Sequence, residues 1–330
     1  MVIYPNKLKK GDEVRIIAPS TNFSVISEEQ KEIAINRLES LGLKVSFGKN
    51  INENDVYTSS SVKSRVEDLH DAFKDKNVKA ILTVLGGFNA NQMLDYIDFN
   101  LIKVNPKILC GYSDITILQN AILAKTGLVT YSGPHFATFG MKKGFDYIFD
   151  YFKKCFFQEE PFEVVDSVEW SEDTWFLDQE NRTFHKNEGT KVLQEGKAEG
   201  MIIGGNLCSM NLLQGTDYMP EFKNAILFLE DDDATNSFSA FFDRNLQGLI
   251  NSQDFSEVKA LVIGRVQKST DFSFEKLKHT IESKKELRGM PIIYNVDFGH
   301  TYPFFTSPIG GKVEIDTSKK NKIKFLEFIK

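Results

Sequence analysis

Residues 108–123 read ILCGYSDITILQNAIL, and their pattern changes from that of a strand to that of a helix. Ile108–Tyr112 are predicted to form a short buried strand, Ser113 and Asp114 lie in the turn, and Ile115–Leu123 have the apolar spacing of a helix. A strand that turns sharply into a helix is the repeating step of an α/β sheet. Ser113 lies in the turn, so its hydroxyl is expected at the N-terminus of a helix.

The same alternation runs through the first half of the chain. Apolar runs at 14–18, 43–47 and 78–85 predict strands, and the segments between them have the spacing of amphipathic helices. Strands that alternate with helices predict βαβ units and therefore a parallel sheet. We expect residues 1–158 to form an N-terminal parallel α/β domain that carries the candidate nucleophile.

The second half of the chain has a different pattern. Residues 159–198 are acidic and polar but contain both tryptophans, and we interpret them as a connecting segment that forms a flap. A pair of irregular strands at a domain edge is the alternative. Residues 199–330 are rich in predicted strands and end in a predicted β-hairpin at 311–328. The predicted fold class is therefore α/β, with a smaller, β-rich mixed domain at the C-terminal end.

The amino-acid composition excludes several classes of function. The chain has 330 residues, a formal net charge of -6 and no block of five or six Lys or Arg, so no nucleic-acid partner is expected. It lacks a run of 18 apolar residues and an apolar signal-peptide core, so we expect a cytoplasmic protein with no membrane contact. Three widely spaced cysteines without a CxxC pair predict reduced thiols, and neither a disulfide framework nor a zinc site.

Polar or glycine residues follow predicted strands at four places, and ligands of open α/β sheets bind beyond such strand ends. At the first place, Gly86-Gly87 could donate backbone N–H groups to an anion, although a tight turn without a ligand is the alternative. At the second, Ser113 has Gly111 two residues before it, as in a nucleophile elbow, but Ile115 two residues after it. A simple N-cap is the alternative there.

The other two places lie in the second half. Glu230 ends an apolar run and could orient a histidine, whereas the following Asp231–Asp233 are interpreted as a solvated acidic turn. His300 follows a predicted strand and a glycine, and among the five histidines only His135 competes with it as a base. A turn serine, a strand-end glutamate and a strand-end histidine together form a possible nucleophile, orienting acid and base.

These stretches, in this order, resemble the LD-carboxypeptidase and microcin C immunity family of serine peptidases. The matching residues span nearly the whole chain and are Leu85–Gly87, Gly111–Asp114, Ile203–Asn206, Phe228–Asp231 and Val296–Thr301. The resemblance implies that Ser113 is the nucleophile, His300 the general base and Glu230 the acid that orients it. It further implies that the backbone N–H groups of Gly87 and Asp114 form the oxyanion hole.

The resemblance also implies an active site in the cleft between the domains, a homodimer, and no metal or cofactor. Gly86, Asn206 and Trp175 are expected to contact the substrate, a small peptide or a peptidyl nucleotide. Trp175 could stack on an adenine, and packing at the domain interface is the alternative. For the substrate carboxylate, Arg244 and Arg265 are candidates by position only, and a surface ion pair is the alternative for each.

The family divides by substrate. The stretches 173–178 and Val296–Thr301 look more like the microcin immunity branch, which cleaves the bond between an aminoacyl or peptidyl group and a modified nucleotide and so gives antibiotic resistance. The alternative is a murein tetrapeptide L,D-carboxypeptidase that releases terminal D-alanine in cell-wall recycling. A non-catalytic, two-lobed ligand-binding protein is the alternative of another class, but it leaves the serine, glutamate and histidine unexplained.

Overall fold

The structure is a computed structural model and describes residues 2–232, 237–252 and 254–330. Within these residues the strands are β1 Glu13–Ile17, β2 Lys44–Phe47, β3 Val78–Thr83, β4 Ile108–Gly111, β5 Thr130–Ser132, β6 Phe162–Val164, β7 Glu169–Trp170, β8 His185–Lys186, β9 Lys191–Gln194, β10 Lys197–Asn206, β11 Ala225–Glu230, β12 Ala260–Gly264, β13 Ile292–Val296, β14 Ser307–Ile309, β15 Lys312–Asp316 and β16 Ile323–Glu327. The α-helices are α1 Glu28–Ser40, α2 Val62–Lys74, α3 Phe99–Val104, α4 Thr116–Thr126, α5 Asp146–Phe157, α6 Leu207–Asn211, α7 Phe238–Ile250 and α8 Phe274–Glu282. No helix of the described chain is both long enough and apolar enough to cross a bilayer.

The first sheet has the order β14-β5-β4-β3-β1-β2. Strands β1 to β5 are mutually parallel, and β14 joins the edge of β5 in antiparallel orientation. The predicted parallel α/β sheet is therefore confirmed. The carboxyl ends of parallel strands lie at the same edge of a sheet. Gly86-Gly87, after β3, and Ser113, after β4, are therefore at the same edge.

The second sheet has the order β6-β16-β15-β10-β11-β12-β13-β9. Its centre, β10 to β13, is parallel, whereas the outer strands pair antiparallel, so the predicted mixed C-terminal sheet and its terminal hairpin are present. Segment 159–198 contributes both outermost strands, β6 and β9, and the small hairpin β7–β8. Domain boundaries at 158/159 and 198/199 stay a prediction, since β14 returns from the second half to the first sheet.

Helix α4, which follows the turn at Ser113, joins the two sheets. Thr116 Oγ1 accepts a hydrogen bond from the N–H of Asn206 at 2.9 Å, and Asn120 Nδ2 donates to the Gly204 carbonyl at 2.9 Å. A Cβ at Gly205 would lie 2.5 Å from Thr116 Oγ1, so β10 reaches the helix only because this residue is glycine. These contacts hold the nucleophile turn against the second sheet.

Candidate active site

Ser113 lies in a sharp turn between β4 and α4. Its φ of +62° is in the left-handed region, which costs a β-carbon-bearing residue roughly 1–3 kcal/mol and which the surrounding fold must enforce. A strained serine at a strand-to-helix turn is the geometry of a nucleophile elbow. A Cβ at Gly86 would lie 2.8 Å from the Cβ of Ser113 and 3.0 Å from its Oγ, so glycine is needed to leave the hydroxyl room.

Three residues that are far apart in sequence meet at this hydroxyl. His300 Nε2 lies 3.1 Å from Ser113 Oγ, and His300 Nδ1 lies 2.6 Å from Glu230 Oε2. The Glu230 side chain, at the end of β11, is only 3% exposed, and His300 is on the loop after β13. The structure therefore places a hydroxyl, an imidazole and a carboxylate in the order that a nucleophile, a base and its orienting acid require.

Glycines on both sides of Glu230 make room for its carboxylate. A Cβ at Gly264 would lie 2.8 Å from the Glu230 Cβ, and one at Gly299 would lie 2.5 Å from Glu230 Oε2. Gly299 also has a φ of +105°, where a side chain is strained. The residue before His300 is therefore constrained both by its backbone and by its neighbour.

Gly299→Ala is expected to lower kcat by about 100-fold, because a displacement of roughly 1 Å at a reacting group has an effect of that order. Gly289→Ala is the matched control, since its φ is +80° but its Cβ would meet nothing within 4 Å. Both substitutions should lower the free energy of unfolding by about 1–2 kcal/mol through backbone strain. Steady-state kinetics and thermal melts check this, and equal loss of activity in both variants would contradict it.

Carboxylates surround His300. Burial alone lowers the pKa of His300, but the Glu230 carboxylate, with smaller effects of Asp232 and Asp231, outweighs it and raises the pKa to about 9. Asp232 Oδ2 lies 3.5 Å from the same Nε2 that faces Ser113. Burial, followed by Glu230 and Asp232, raises the pKa of Asp231 to about 7. The imidazole is thus held in a strongly negative environment.

The two candidate oxyanion donors are the backbone N–H groups of Gly87, on the loop after β3, and of Asp114, in the turn after β4. Gly87 has a φ of +151°, and a Cβ there would lie 2.3 Å from Ser20 Oγ. Among the described residues, the Gly87 N–H donates no hydrogen bond. The Asp114 carboxylate accepts from Ser20 Oγ at 2.6 Å and from the Ala90 N–H at 2.9 Å, which fixes the residue after Ser113. These bonds hold the two loops that carry the N–H groups against each other.

The residues expected to contact substrate have different surroundings. Gly86 directly faces Ser113. Asn206 is buried, caps helix α6 through the Ser209 N–H at 2.9 Å, and donates to Asp231 Oδ1 at 3.1 Å. Trp175 is 4% exposed and lies edge-on to Tyr302 at 6.2 Å between ring centroids. In this arrangement its ring is packed inside the protein, as the domain-interface alternative predicts, and it offers no open face to a base.

Three other candidates from the sequence do not reach the nucleophile. His135 is buried, with Nδ1 2.7 Å from Thr83 Oγ1, and burial, aided by His300, lowers its pKa to about 3. Arg265 is buried in an ion pair with Asp297 at 2.6 Å, so it is neither a surface residue nor free to bind a substrate carboxylate. Arg244 is exposed on α7, with its guanidinium 4.4 Å from the Phe241 ring centre.

The acidic side of the site was not predicted from the sequence. Asp231 and Asp232 were interpreted as part of a solvated turn, but both are half-buried beside His300; Asp233 lies outside the described residues. Their position directly after the strand-end Glu230 was the available signal. The ring of Tyr112, which lies edge-on to the His300 ring with the centroids 5.2 Å apart, was also not predicted, since an aromatic residue at a strand end is typical of an ordinary core.

Comparisons with known proteins match both halves of the chain. The sequence profile of the LD-carboxypeptidase N-terminal domain matches residues 14–133, and that of the C-terminal domain matches residues 199–315. The chain is 57% identical to the putative carboxypeptidase YocD of Bacillus subtilis, over 95% of this chain and 96% of that protein. It is 31% identical to a probable murein peptide carboxypeptidase of the same species, over 97% and 93%.

Two solved structures match nearly the whole chain. The crystal structure of an MccF-like protein from Bacillus anthracis matches with a TM-score of 0.97 and 53% identity, over 99% of this chain and 100% of that one. The microcin C7 self-immunity protein MccF, in complex with aspartyl sulfamoyl adenosine, matches with a TM-score of 0.88 and 28% identity, over 99% and 100%.

Proposed function

The chain belongs to the LD-carboxypeptidase family of serine peptidases, and on that premise we propose that it hydrolyses the bond between an aminoacyl or peptidyl group and a modified nucleotide. The observation that carries the catalytic part is the continuous line of contacts from Ser113 Oγ through His300 to Glu230. The similarity to an MccF-like protein, and to MccF with an aminoacyl sulfamoyl adenosine bound, supports the substrate class.

In the proposed mechanism, His300 Nε2 accepts the proton of Ser113 as Oγ attacks the scissile carbonyl carbon. Glu230 holds the imidazole through Nδ1–H and stabilises the imidazolium that forms. His300 then gives the proton to the leaving group, and an acyl group remains on Ser113. Water, deprotonated by the same imidazole, attacks the acyl-enzyme, and His300 returns that proton to Ser113 Oγ as the free acid is released.

The negative oxygen of the tetrahedral intermediate is stabilised by the N–H groups of Gly87 and Asp114. Preorganised donors of this kind typically contribute roughly 3–4 kcal/mol each to transition-state stabilisation. Gly86 has no side chain, and this leaves open the space beside Ser113 Oγ that a side chain would occupy. The family resemblance also supports a cytoplasmic homodimer that gives antibiotic resistance, and these parts of the proposal rest on the resemblance alone.

The pH dependence of kcat/KM follows from the charge of His300. Only the neutral imidazole can accept the Ser113 proton, and the neighbouring carboxylates favour its protonated form, with a pKa of about 9. We expect kcat/KM to rise with pH through an apparent pKa well above the usual histidine value of about 6.5. A pH–rate profile from pH 6 to 10 measures this, and an acid limb at or below 6.5 would contradict the assignment.

The murein alternative has one specific observation in its favour. Trp175, which would stack on the nucleobase, is packed inside the protein at 4% exposure. Stacking would require segment 159–198 to rearrange so that a ring face opens, whereas a murein peptide needs no base platform.

The test is paired hydrolysis of aspartyl sulfamoyl adenosine and a murein L,D-tetrapeptide, with products identified by mass spectrometry. Cleavage of the nucleotide conjugate without release of D-alanine supports the proposal, and release of D-alanine alone replaces it with the murein activity. Ser113→Ala is the blank for enzyme-dependent turnover. Ser40→Ala, an exposed serine at the end of α1, is the matched control.

A further inference from the structure

Two tyrosines join the loops that carry the proposed nucleophile and base. Tyr112 directly precedes Ser113, and Tyr302 comes two residues after His300. Their hydroxyl groups lie 3.1 Å apart, so that either can donate a hydrogen bond to the other. Tyr112 follows β4 of the first sheet and Tyr302 follows β13 of the second, so this bond crosses between the sheets at the active site. We propose that Tyr302 is a positioning residue, whose hydrogen bond to Tyr112 sets the distance between the base and the nucleophile.

The Tyr112 ring is held firmly by its neighbours. It is 7% exposed, and its centroid lies 4.3 Å from that of the His135 ring and 5.0 Å from that of the Phe304 ring. Its hydroxyl is also hydrogen-bonded to the Thr138 side chain. Because side chains in a close-packed interior stay in one rotamer on average, the Tyr112 hydroxyl keeps its place beside the nucleophile turn. A group bound to that hydroxyl is therefore held relative to Ser113.

The loop that carries His300 is anchored at both ends by the connecting segment. At its start, the Asp297 carboxylate accepts hydrogen bonds from the Ser167 N–H at 2.7 Å and from the Ser167 hydroxyl at 3.0 Å. At its end, the backbones of Ser171 and Tyr302 exchange two hydrogen bonds, of 2.6 and 2.8 Å. The connecting segment contributes β6 and β9 to the second sheet, so these anchors hold the loop to that sheet. The hydroxyl of Tyr302 adds a link to the first sheet.

This inference rests on the proposed function, because it assumes that His300 and Ser113 carry out the reaction. A displacement of roughly 1 Å between reacting groups can lower a rate by about 100-fold. A single hydrogen bond between neutral hydroxyls has a smaller effect, and its loss corresponds to a factor of about three to ten. The hydroxyl of Tyr302 is bonded to another side chain of the protein, so its removal should lower kcat and leave KM unchanged.

The experiment is a double-mutant cycle in the full-length protein, with Tyr112→Phe, Tyr302→Phe and the double variant. Each substitution keeps the ring and removes one hydroxyl. Tyr302→Phe should lower kcat about threefold to tenfold with the wild-type KM. The double variant should be no slower than Tyr112→Phe, since both substitutions remove the same hydrogen bond. Tyr112→Phe also removes the bond to Thr138, and the comparison with the double variant separates the two effects.

Tyr294→Phe is the matched control. Tyr294 lies on β13, its ring stacks on Phe274 with the centroids 5.4 Å apart, and its hydroxyl has no hydrogen-bond partner within the part of the chain that the structure describes. This variant should keep the wild-type kcat. In a pH–rate profile, Tyr302→Phe should keep the apparent pKa of the wild type, because the contact of His300 with Glu230 is unchanged. A general loosening of the site would instead move that pKa toward the usual histidine value.

Two results would overturn the inference. One is a Tyr302→Phe variant with the wild-type kcat. The other is a double variant whose loss equals the product of the two single losses, because the hydroxyls would then act independently. The rate at which a fluorophosphonate modifies Ser113 gives the same cycle without a natural substrate. If neither the nucleotide conjugate nor the murein peptide is cleaved, the proposed function fails, and the modification of Ser113 still tests the hydroxyl pair.

Discussion

Ser113→Ala should lower kcat for the substrate that the wild type cleaves by about 10⁶-fold, the effect of removing a triad serine in a comparable hydrolase. The Cβ and the turn are kept, so only the attacking oxygen is lost. Residual turnover should come from binding and from the N–H groups of Gly87 and Asp114 alone.

Steady-state kinetics and thermal unfolding of Ser113→Ala and Ser40→Ala separate chemistry from folding. We expect both variants to melt close to wild type and only Ser113→Ala to lose activity. If the Ser113→Ala variant keeps more than a hundredth of the wild-type kcat, Ser113 is not the nucleophile. Ser113→Gly should be more stable than the alanine variant by roughly 1 kcal/mol, because glycine accepts a φ of +62° without strain.

The second large effect is expected for Glu230→Gln, which keeps the shape of the side chain and removes its charge. We expect kcat to fall by about 10⁴-fold, as it does when the orienting acid of a serine triad becomes an amide. The amide can donate to Nδ1, which would favour the wrong tautomer of His300. Loss of the carboxylate should also lower the pKa of His300, since Glu230 is the main group that raises it.

Kinetics at saturating substrate test the predicted fall in kcat, and NMR titration of the His300 ring tests the predicted fall in its pKa. Glu221→Gln, on an exposed loop, is the matched control. A Glu230→Gln variant that keeps a tenth of wild-type kcat, with the pKa of His300 unchanged, would remove Glu230 from the proposed triad.

The sequence was most informative where an apolar run met a polar residue. The ends of β3, β4, β11 and β13 were visible in this way. β3 and β4 share the carboxyl edge of the first sheet, β11 and β13 share that of the second, and the two edges meet where His300 contacts Ser113. Ser113, Glu230 and His300 were predicted together for this reason, although the family resemblance was needed to favour catalysis over an N-cap, an acidic turn and a structural histidine.

Other features of the structure have no periodic hydrophobic pattern in the sequence. Strand β14 is only three residues long, so its return to the first sheet could not be predicted from hydrophobic alternation. The ion pair of Arg265 with Asp297 depends on which side chains face each other across the sheet. Whether Trp175 is buried could not be predicted, since an aromatic residue in a polar segment can either pack at a domain interface or form part of a ligand-binding surface.

The contacts between α4 and β10 have a consequence for folding. Thr116 and Asn120 tie the helix after the nucleophile to the second sheet, while β14 crosses back to the first sheet and the backbones of Lys7 and Lys330 are hydrogen-bonded at 2.7 Å. Melting either sheet therefore breaks hydrogen bonds that belong to the other, which couples the two halves into one cooperative unit. Because the turn at Ser113 leads directly into α4, the position of the nucleophile and the attachment of the second sheet depend on the same helix.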